Sequence, residues 1–391
     1  MAYSYRLFPS IDKVDLAAWE RVRSRCGASI IMDPSFLCAV ESSMKQNCRF
    51  WYVVVYDDDT RPVAFACLTG MTLDLADFSD KAMAWFIRHF PGSMLPLRNF
   101  NVLICGLPVS TAHHTLALAT RQASPQILPL IDGVISELAA TARAHAVVYR
   151  EFRQDDLQWT KPLLDLGYQR ITGPALYFFK PLFTDLEHYC AALKSHYRKQ
   201  IRRSIRKLES AGVEIKVLTN AEQILKAYTP EVHDLYFQVR DRADVKFELL
   251  SINYLYEMAS RLGNKVELIL FSRNSKIIAF GWCLHTATAY YMLYAGLDYR
   301  FNDELDLYFN LHYAALDCAL RKKVANIELG ATGDVFKARL GCYSEPSYIF
   351  ARGLGPVMSR VIRYGSGFLL PQTPAVPAFE VFNRDFAARP N

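Results

Sequence analysis

The chain has 391 residues, half of them hydrophobic, and its 45 Lys and Arg outweigh 39 Asp and Glu by a formal charge of +6. That length exceeds one ordinary domain and suits two with cores of their own, while so small a charge surplus argues against a DNA-binding protein. Nine cysteines without a CxxC pair point to a reducing cytoplasm. The opening MAYSYRLFPSIDKVD lacks a basic-then-apolar leader, and no run of eighteen uncharged apolar residues predicts a transmembrane segment.

In chain order, the first clear element is an apolar hairpin over 51–67, WYVVVYDDDTRPVAFAC. Alternating apolar strands around a polar turn predict it. A segment of mixed character follows, from about Gly70 to Ser124. Next come an apolar-periodic helix over 127–144, a strand over 146–150 and a Leu166-Gly167 step.

From Lys194 to Lys207 the chain reads KSHYRKQIRRSIRK, seven cations with no carboxylate. As a helix it carries one apolar stripe, Tyr197, Ile201, Ile205 and Leu208, within a cationic face of Arg198, Lys199, Arg202, Arg203, Arg206 and Lys207. Gly212 supplies a C-cap. Such a one-sided positive face suits a phosphate-bearing or acidic partner.

The order of parts then repeats. A second hairpin over 266–282, VELILFSRNSKIIAFGW, aligns with the first without a gap and shares its Ala-Phe pair, at 64–65 and 279–280. It is followed by a helix over 304–322, a strand over 325–329 and a Leu340-Gly341 step. We read two related α/β domains, 1–180 with an insertion near 70–124 and 181–353, followed by a Gly- and Pro-rich extension over 354–391. Strands too apolar for a wet face call for helices on both sides of each mixed central sheet.

The basic helix with AGVEI at 211–215, the second hairpin, YYMLYAGLDYR at 290–300 and IELGATGDVFKARLGC at 327–342 together resemble GNAT-superfamily acyltransferases related to the FemAB peptidyltransferases. This group is often labelled BioF2-like or CelD-like. WERV at 19–22 and MDPSFLCAVESS at 32–43 resemble its usual opening. The resemblance implies a tandem duplicated GNAT fold that binds an acyl or aminoacyl donor in a cleft of one copy and transfers it to an amine. The family's Gly followed by an aromatic-Lys pair falls on Gly330, Gly333, Phe336 and Lys337.

Acyl transfer to an amine needs a base for the ammonium and polarisation of the carbonyl that becomes an oxyanion. Lys337 and Arg339, after the Gly330-Ala331-Thr332-Gly333 turn, are candidates for holding a phosphate or the oxyanion. Glu328, ending an apolar strand, is the candidate base, with Asp334 competing. Among the clustered Tyr290, Tyr291, Tyr294 and Tyr299, Tyr294 is taken as the residue that protonates the leaving group or orients the amine. Arg198, Lys199, Arg202 and Arg203 complete a donor or phosphate site with Arg339, Gly330 and Gly333. His285 and His312 read as structural histidines. No spacing suits a metal, and no GxSxG marks a serine hydrolase.

One departure bears on the donor. Acetyl-CoA enzymes of the superfamily open a helix with a Gly-rich turn that cradles pyrophosphate, whereas here the place holds Arg300-Phe301-Asn302-Asp303-Glu304 and Asp306. The corresponding stretch of the first copy, Arg121-Gln122-Ala123-Ser124, also lacks glycine. The leading expectation is an N-acyltransferase using an acyl-CoA or acyl-carrier-protein thioester on a small-molecule amine acceptor. An aminoacyl-tRNA-dependent FemAB-like transferase is the first alternative, and a catalytically inert duplicated binding module the second.

Overall fold

A computed structural model describes residues 2–78, 98–109, 111–242, 250–331, 334–369 and 379–383. Residues 79–97 and 110 of the 70–124 insertion, 370–378 and 384–391 of the 354–391 extension, and Thr332 and Gly333 lie outside the described residues. The chain divides into two compact units, one of Met1–Pro174, Asp244–Glu257 and Pro346–Thr373, the other of Ala175–Ala243, Met258–Glu345 and Pro374–Asn391.

The first unit is built on β1 (Ser4–Phe8), β2 (Cys48–Tyr56), β3 (Pro62–Leu73), β4 (Phe100–Cys105), β5 (Leu116–Leu118) and β6 (Ala146–Phe152). Its strand order is β1-β2-β3-β4-β6 and then β13 (Tyr343–Gly353), with β5 against β3. Among the described strand pairs of this unit β4–β6 is the parallel one; β13 runs antiparallel to β6, Tyr348 opposite Phe152 and Gly353 opposite Ala146. The β-branched run Val53-Val54-Val55 is fully buried, as a sheet covered on both faces demands. The helix Ser124–Thr141 places Ile127, Leu128, Ile131, Val134 and Ile135 against Val147 and Tyr149, the 3.6-residue stripe that buries one face.

The second unit repeats this order as β8-β9-β10-β11-β12-β7, with β7 (Gln169–Phe179), β8 (Glu214–Leu218), β9 (Val266–Arg273), β10 (Lys276–His285), β11 (Ala289–Leu297) and β12 (Asn326–Glu328). Again one of the described pairs is parallel, β11–β12, and β7 runs antiparallel to β12. The architecture is therefore a tandem duplication in which each sheet takes its last strand from the other half of the chain. The helix Leu307–Arg321 buries Leu311, Ala315, Leu316 and Ala319 in the second core.

The two hairpins differ in one respect from their gap-free alignment. Ala279 pairs with Phe271, whereas its counterpart Ala64 pairs with Val55, one position earlier than the alignment places it. The turns cause this. Asn274 and Ser275 both adopt positive φ in a two-residue turn between Arg273 and Lys276, the geometry that matches strand twist. The Asp57–Arg61 loop is longer, held by the Asp57 carboxylate accepting from Arg61 N at 2.8 Å.

Candidate active site

The basic stretch forms the helix Ser195–Ser210. Ile201 and Leu208 are buried and Tyr197 and Ile205 half-buried against the second core, so the apolar stripe orients the cationic residues outward. Ser204, in that stripe, is fixed by the Asn310 amide, which donates to its carbonyl at 3.0 Å and its hydroxyl at 3.1 Å. Several cations meet partners that the sequence does not place nearby. Arg202 pairs with Glu187, Lys207 with Asp306 at 2.8 Å and Lys194 with Glu380 at 2.9 Å. Arg198 donates to the Ala191 and Leu193 carbonyls at 3.4 Å. Lys199, Arg203 and Arg206 are exposed and form no ion pair among the described residues.

The core of the site is where β12 leaves β11. The parallel ladder runs Ala289–Asn326, Tyr290–Ile327, Tyr291–Glu328 and stops there, while β11 continues to Leu297. A bulge marks the same point: Trp282 faces Tyr294 and Cys283 faces Met292, which leaves Leu293 unopposed on β10. The chain after β12 follows β7 instead, Tyr177 and Leu329 to Gly330 exchanging backbone hydrogen bonds of 3.0 and 3.1 Å. The strands thus splay, the opening that an extended acyl chain needs.

Lys337 enters this opening. It lies on the helix Asp334–Arg339, is 2% exposed, and its Nζ stands 5.5 Å from the Tyr177 ring centroid. Gly330 has φ of +74°, and a Cβ there would lie 3.9 Å from the Met292 carbonyl oxygen and 4.0 Å from Lys337 Nζ. Gly330, Met292 and Lys337 therefore converge at the splay. Tyr294, 7% exposed, stands two residues beyond Met292 on β11. Glu328 is also buried, at 8%. It alternates with Ile327 and Leu329, which enter the core under the helix Leu307–Arg321, so Glu328 stands on the opposite face of the sheet. Arg339 is exposed, its guanidinium 5.4 Å over the Phe379 ring. Gly333 lies outside the described residues.

A residue read from the sequence as structural belongs to this neighbourhood. His312 is 4% exposed, packed against Phe336 at 5.1 Å between ring centroids and against Tyr308 at 4.4 Å. Its Nδ1 lies 2.9 Å from the Tyr308 carbonyl oxygen; a carbonyl only accepts, so Nδ1 carries the proton and Nε2 the lone pair. Burial, and the positive charge of Lys337, push its pKa down to about 3. The unfolded chain binds the proton near pH 6.5 and the folded one does not, so stability is full above that pH and falls on acidification toward 3. Between pH 6.5 and 5 the loss should reach about 2 kcal/mol. Urea midpoints at the two pH values should show it, and His312→Gln should flatten the slope.

Beside Lys337 a cavity of about 230 Å³ opens between the basic helix, the helix Leu307–Arg321 and the helix Asp334–Arg339, lined by Tyr197, Gln200, Phe309, Tyr313, Phe336 and Arg339 among others. The place of the pyrophosphate turn carries no glycine. The helix Tyr299–Leu305 occupies it, capped by Asp298, whose carboxylate also binds Arg300 at 2.6 Å. Asp306, at φ +50°, puts its own carboxylate on Lys207.

In the first unit the equivalent strand end is filled by its own side chains. A Cβ on Gly106 would meet Arg150 Cγ at 2.8 Å, and the Arg150 guanidinium bonds the Leu107 carbonyl at 3.3 Å and Glu151 at 2.7 Å. Among the described residues no group of His, Cys, Asp or Glu is arranged to hold a metal, no helix is long and apolar enough to cross a membrane, and all nine cysteines are free thiols.

The FemAB-like family, described as peptidoglycan biosynthesis/recognition, matches residues 10–364. No curated protein sequence matches the chain. In fold it is similar to FemX, with a TM-score of 0.58 at 12% identity over 93% of this chain and 100% of that one. It is similar to a tandem GNAT protein from the clavulanic acid biosynthesis pathway, at 0.51 and 11% over 90% and 99%. A third likeness is to the C-terminal domain of a putative lysylphosphatidylglycerol synthetase from Agrobacterium fabrum, at 0.50 and 11% over 90% and 96%. With a match over most of its length, and with the duplicated, splayed-strand architecture of a tandem GNAT fold, the chain belongs to the FemAB-like family.

Proposed function

We propose that the chain transfers an aminoacyl group from aminoacyl-tRNA to an amine of a small acceptor of the peptidoglycan-precursor class, with the second unit as the catalytic copy. The observation that carries this reading is the pairing of a pyrophosphate-turn position that holds Asp303, Glu304 and Asp306 and no glycine with a helix whose Lys199, Arg203 and Arg206 carry no carboxylate partner among the described residues. A CoA donor loses its usual cradle, whereas a polyanionic strand gains a row of cations. The filled strand end of the first unit supports the second as the reacting one.

In this mechanism the acceptor amine attacks the ester carbonyl carbon, and the carbonyl oxygen becomes an oxyanion. The Lys337 ammonium in the splay stabilises that charge in a water-poor site. The C–O bond to the ribose then breaks, and the proton lost by the amine ends on the departing ribose oxygen. Glu328 is the proposed base and Tyr294 the proposed proton donor. A thioester on an acidic carrier protein is the second reading, favoured by the same cationic helix.

The test is to titrate aminoacyl-tRNA, an acyl-carrier protein and acyl-CoA at two salt concentrations, with the wild type and with Lys199→Glu/Arg203→Glu. The double reversal should weaken tRNA binding at least tenfold at low salt and lower the log–log salt slope by about 1.4, since each of the two lost phosphate contacts on a single strand contributes about 0.7. Unchanged tRNA affinity, or binding of carrier protein with silence toward tRNA, would overturn the tRNA reading.

A further inference from the structure

The outer edge of the second unit's sheet carries a pattern that the transfer reaction does not use. Strand β8, Glu214–Leu218, is paired to β9 on one side and, among the described residues, to no strand on the other. Its ladder sets Ile215 opposite Phe271 and Val217 opposite Ile269, both buried in the second core. Ile215 and Val217 therefore point to the helix-covered face, yet they stay 48% and 42% exposed. They extend the apolar layer of the core beyond its cover. Glu214 and Lys216 alternate with them on the other face, their charged atoms 3.8 Å apart and their side chains 72% and 66% exposed.

We infer that β8 is a dimerisation edge, pairing antiparallel with β8 of a second copy of this chain about a two-fold axis through Ile215. Symmetry makes the register decidable. Such an axis, perpendicular to the sheet, matches residues at equal distances on either side of the central one, and both members of each pair point to the same face. Centred on Ile215, it sets Ile215 against its own copy, Val213 against the second copy's Val217, and Glu214 against the second copy's Lys216. Apolar side chains then meet apolar ones, and each carboxylate meets an ammonium, twice per dimer. Centred on Glu214 or on Lys216, the axis would set like charges face to face. Centred on Val217, it would leave Lys216 opposite Leu218 and Glu214 opposite Asn220.

The corresponding edge of the first unit lacks this complementarity. Strand β1, Ser4–Phe8, has the same length and alternation, with Tyr5 40% and Leu7 38% exposed. It carries Arg6 and no carboxylate, so no two-fold register gives it an ion pair, and the Arg6 guanidinium lies over the Tyr56 ring at 5.4 Å. Antiparallel pairing of β1 with β8 can oppose Arg6 to Glu214, but it leaves Lys216 opposite Ser4, and a head-to-tail contact of that kind does not close on two copies. The two-fold pairing of β8 has a further consequence. An axis perpendicular to the sheet keeps its faces, so both basic helices Ser195–Ser210, packed on the core that Ile215 and Val217 extend, stand on one side of the joined sheet.

A contact of one short strand is at the small end of protein interfaces, so a dimer that dissociates in the micromolar range is expected. Sedimentation equilibrium on the full chain should show a mass that rises with concentration from 44.6 kDa toward twice that value. Lys216→Glu and Glu214→Lys, both at exposed positions, should each raise the dissociation constant at least about tenfold when measured alone, because each creates two like-charge pairs across the axis. Thermal midpoints confirm that both variants fold. Mixed in equal amounts, the two should recover a dimer holding one copy of each, since every carboxylate of one then meets an ammonium of the other. A chain that stays monomeric through the high-micromolar range would overturn the proposal. A dimer that survives both single reversals, or a mixture that fails to associate, would overturn it as well, since the contact would then lie elsewhere or in another register. Species that grow past the dimer with concentration would point to the open β1–β8 contact and sink the two-fold one.

Discussion

Lys337→Met is expected to lower kcat/KM for the transfer by 10² to 10³ while leaving the thermal midpoint within a few degrees of wild type. Loss of one group aimed at a developing oxyanion has about that effect in other acyl-transfer sites. The geometry explains why the fold should survive. Phe336 and Leu340, on either side of Lys337, dock the helix Asp334–Arg339 into the second core, and Met reproduces the length and flexibility of the lysine stem. Charge alone should not rescue activity: Lys337→Arg must fit a larger planar head between Tyr177 and Gly330, where the ammonium has its place 5.5 Å from the ring. Steady-state kinetics with calorimetry on both variants would check this. A parallel fall in stability and activity would make Lys337 a structural residue.

Gly296→Ala is expected to give the largest loss of stability, about 3 kcal/mol or more by urea denaturation. A Cβ at this position of β11 would lie 2.1 Å from Phe280 Cε1 and 2.9 Å from the Leu235 backbone carbon. Phe280 is fully buried, and Leu235 belongs to the helix Pro230–Arg242, so neither neighbour can give way. The loss should appear in the folded fraction, with kcat per folded molecule little changed. Gly212→Ala makes the contrast. Nothing lies within 4 Å of a Cβ there, although its φ of +67° carries a smaller backbone strain.

Much of this arrangement was legible in the sequence because it follows from local pattern. The hairpins announce themselves by alternation around Asp57–Arg61 and Asn274-Ser275. The tandem duplication is visible because both copies keep their parts in order. The stripe of Tyr197, Ile201, Ile205 and Leu208 predicts the burial of the basic helix correctly. What escaped depends on contacts distant along the chain. Glu187 and Asp306 neutralise Arg202 and Lys207, and only the fold brings them together. The one-residue register difference between the hairpins arises in turn geometry, which alignment of apolar residues does not sense. His312 could have been noticed as a helix neighbour of Tyr308, four residues earlier, yet its lowered pKa comes from burial against Phe336 and the charge of Lys337. Which sheet a terminal strand completes is likewise unwritten, since β7 and β13 carry patterns that would pair with either β6 or β12.

That exchange of final strands has a consequence for how the chain is made. The ribosome releases the first unit's strands β1 to β6 long before Pro346–Gly353 of β13 exists, and roughly 170 residues separate Pro174 from Pro346. At 5–20 residues per second the delay is on the order of ten seconds or more. Throughout it the outer edge of β6, Ala146–Phe152, exposes an unpaired row of backbone N–H and C=O groups that invites mispairing with other nascent chains. The nascent protein thus has a window of vulnerability whose length is set by translation speed, and slow codons within the second half would lengthen it.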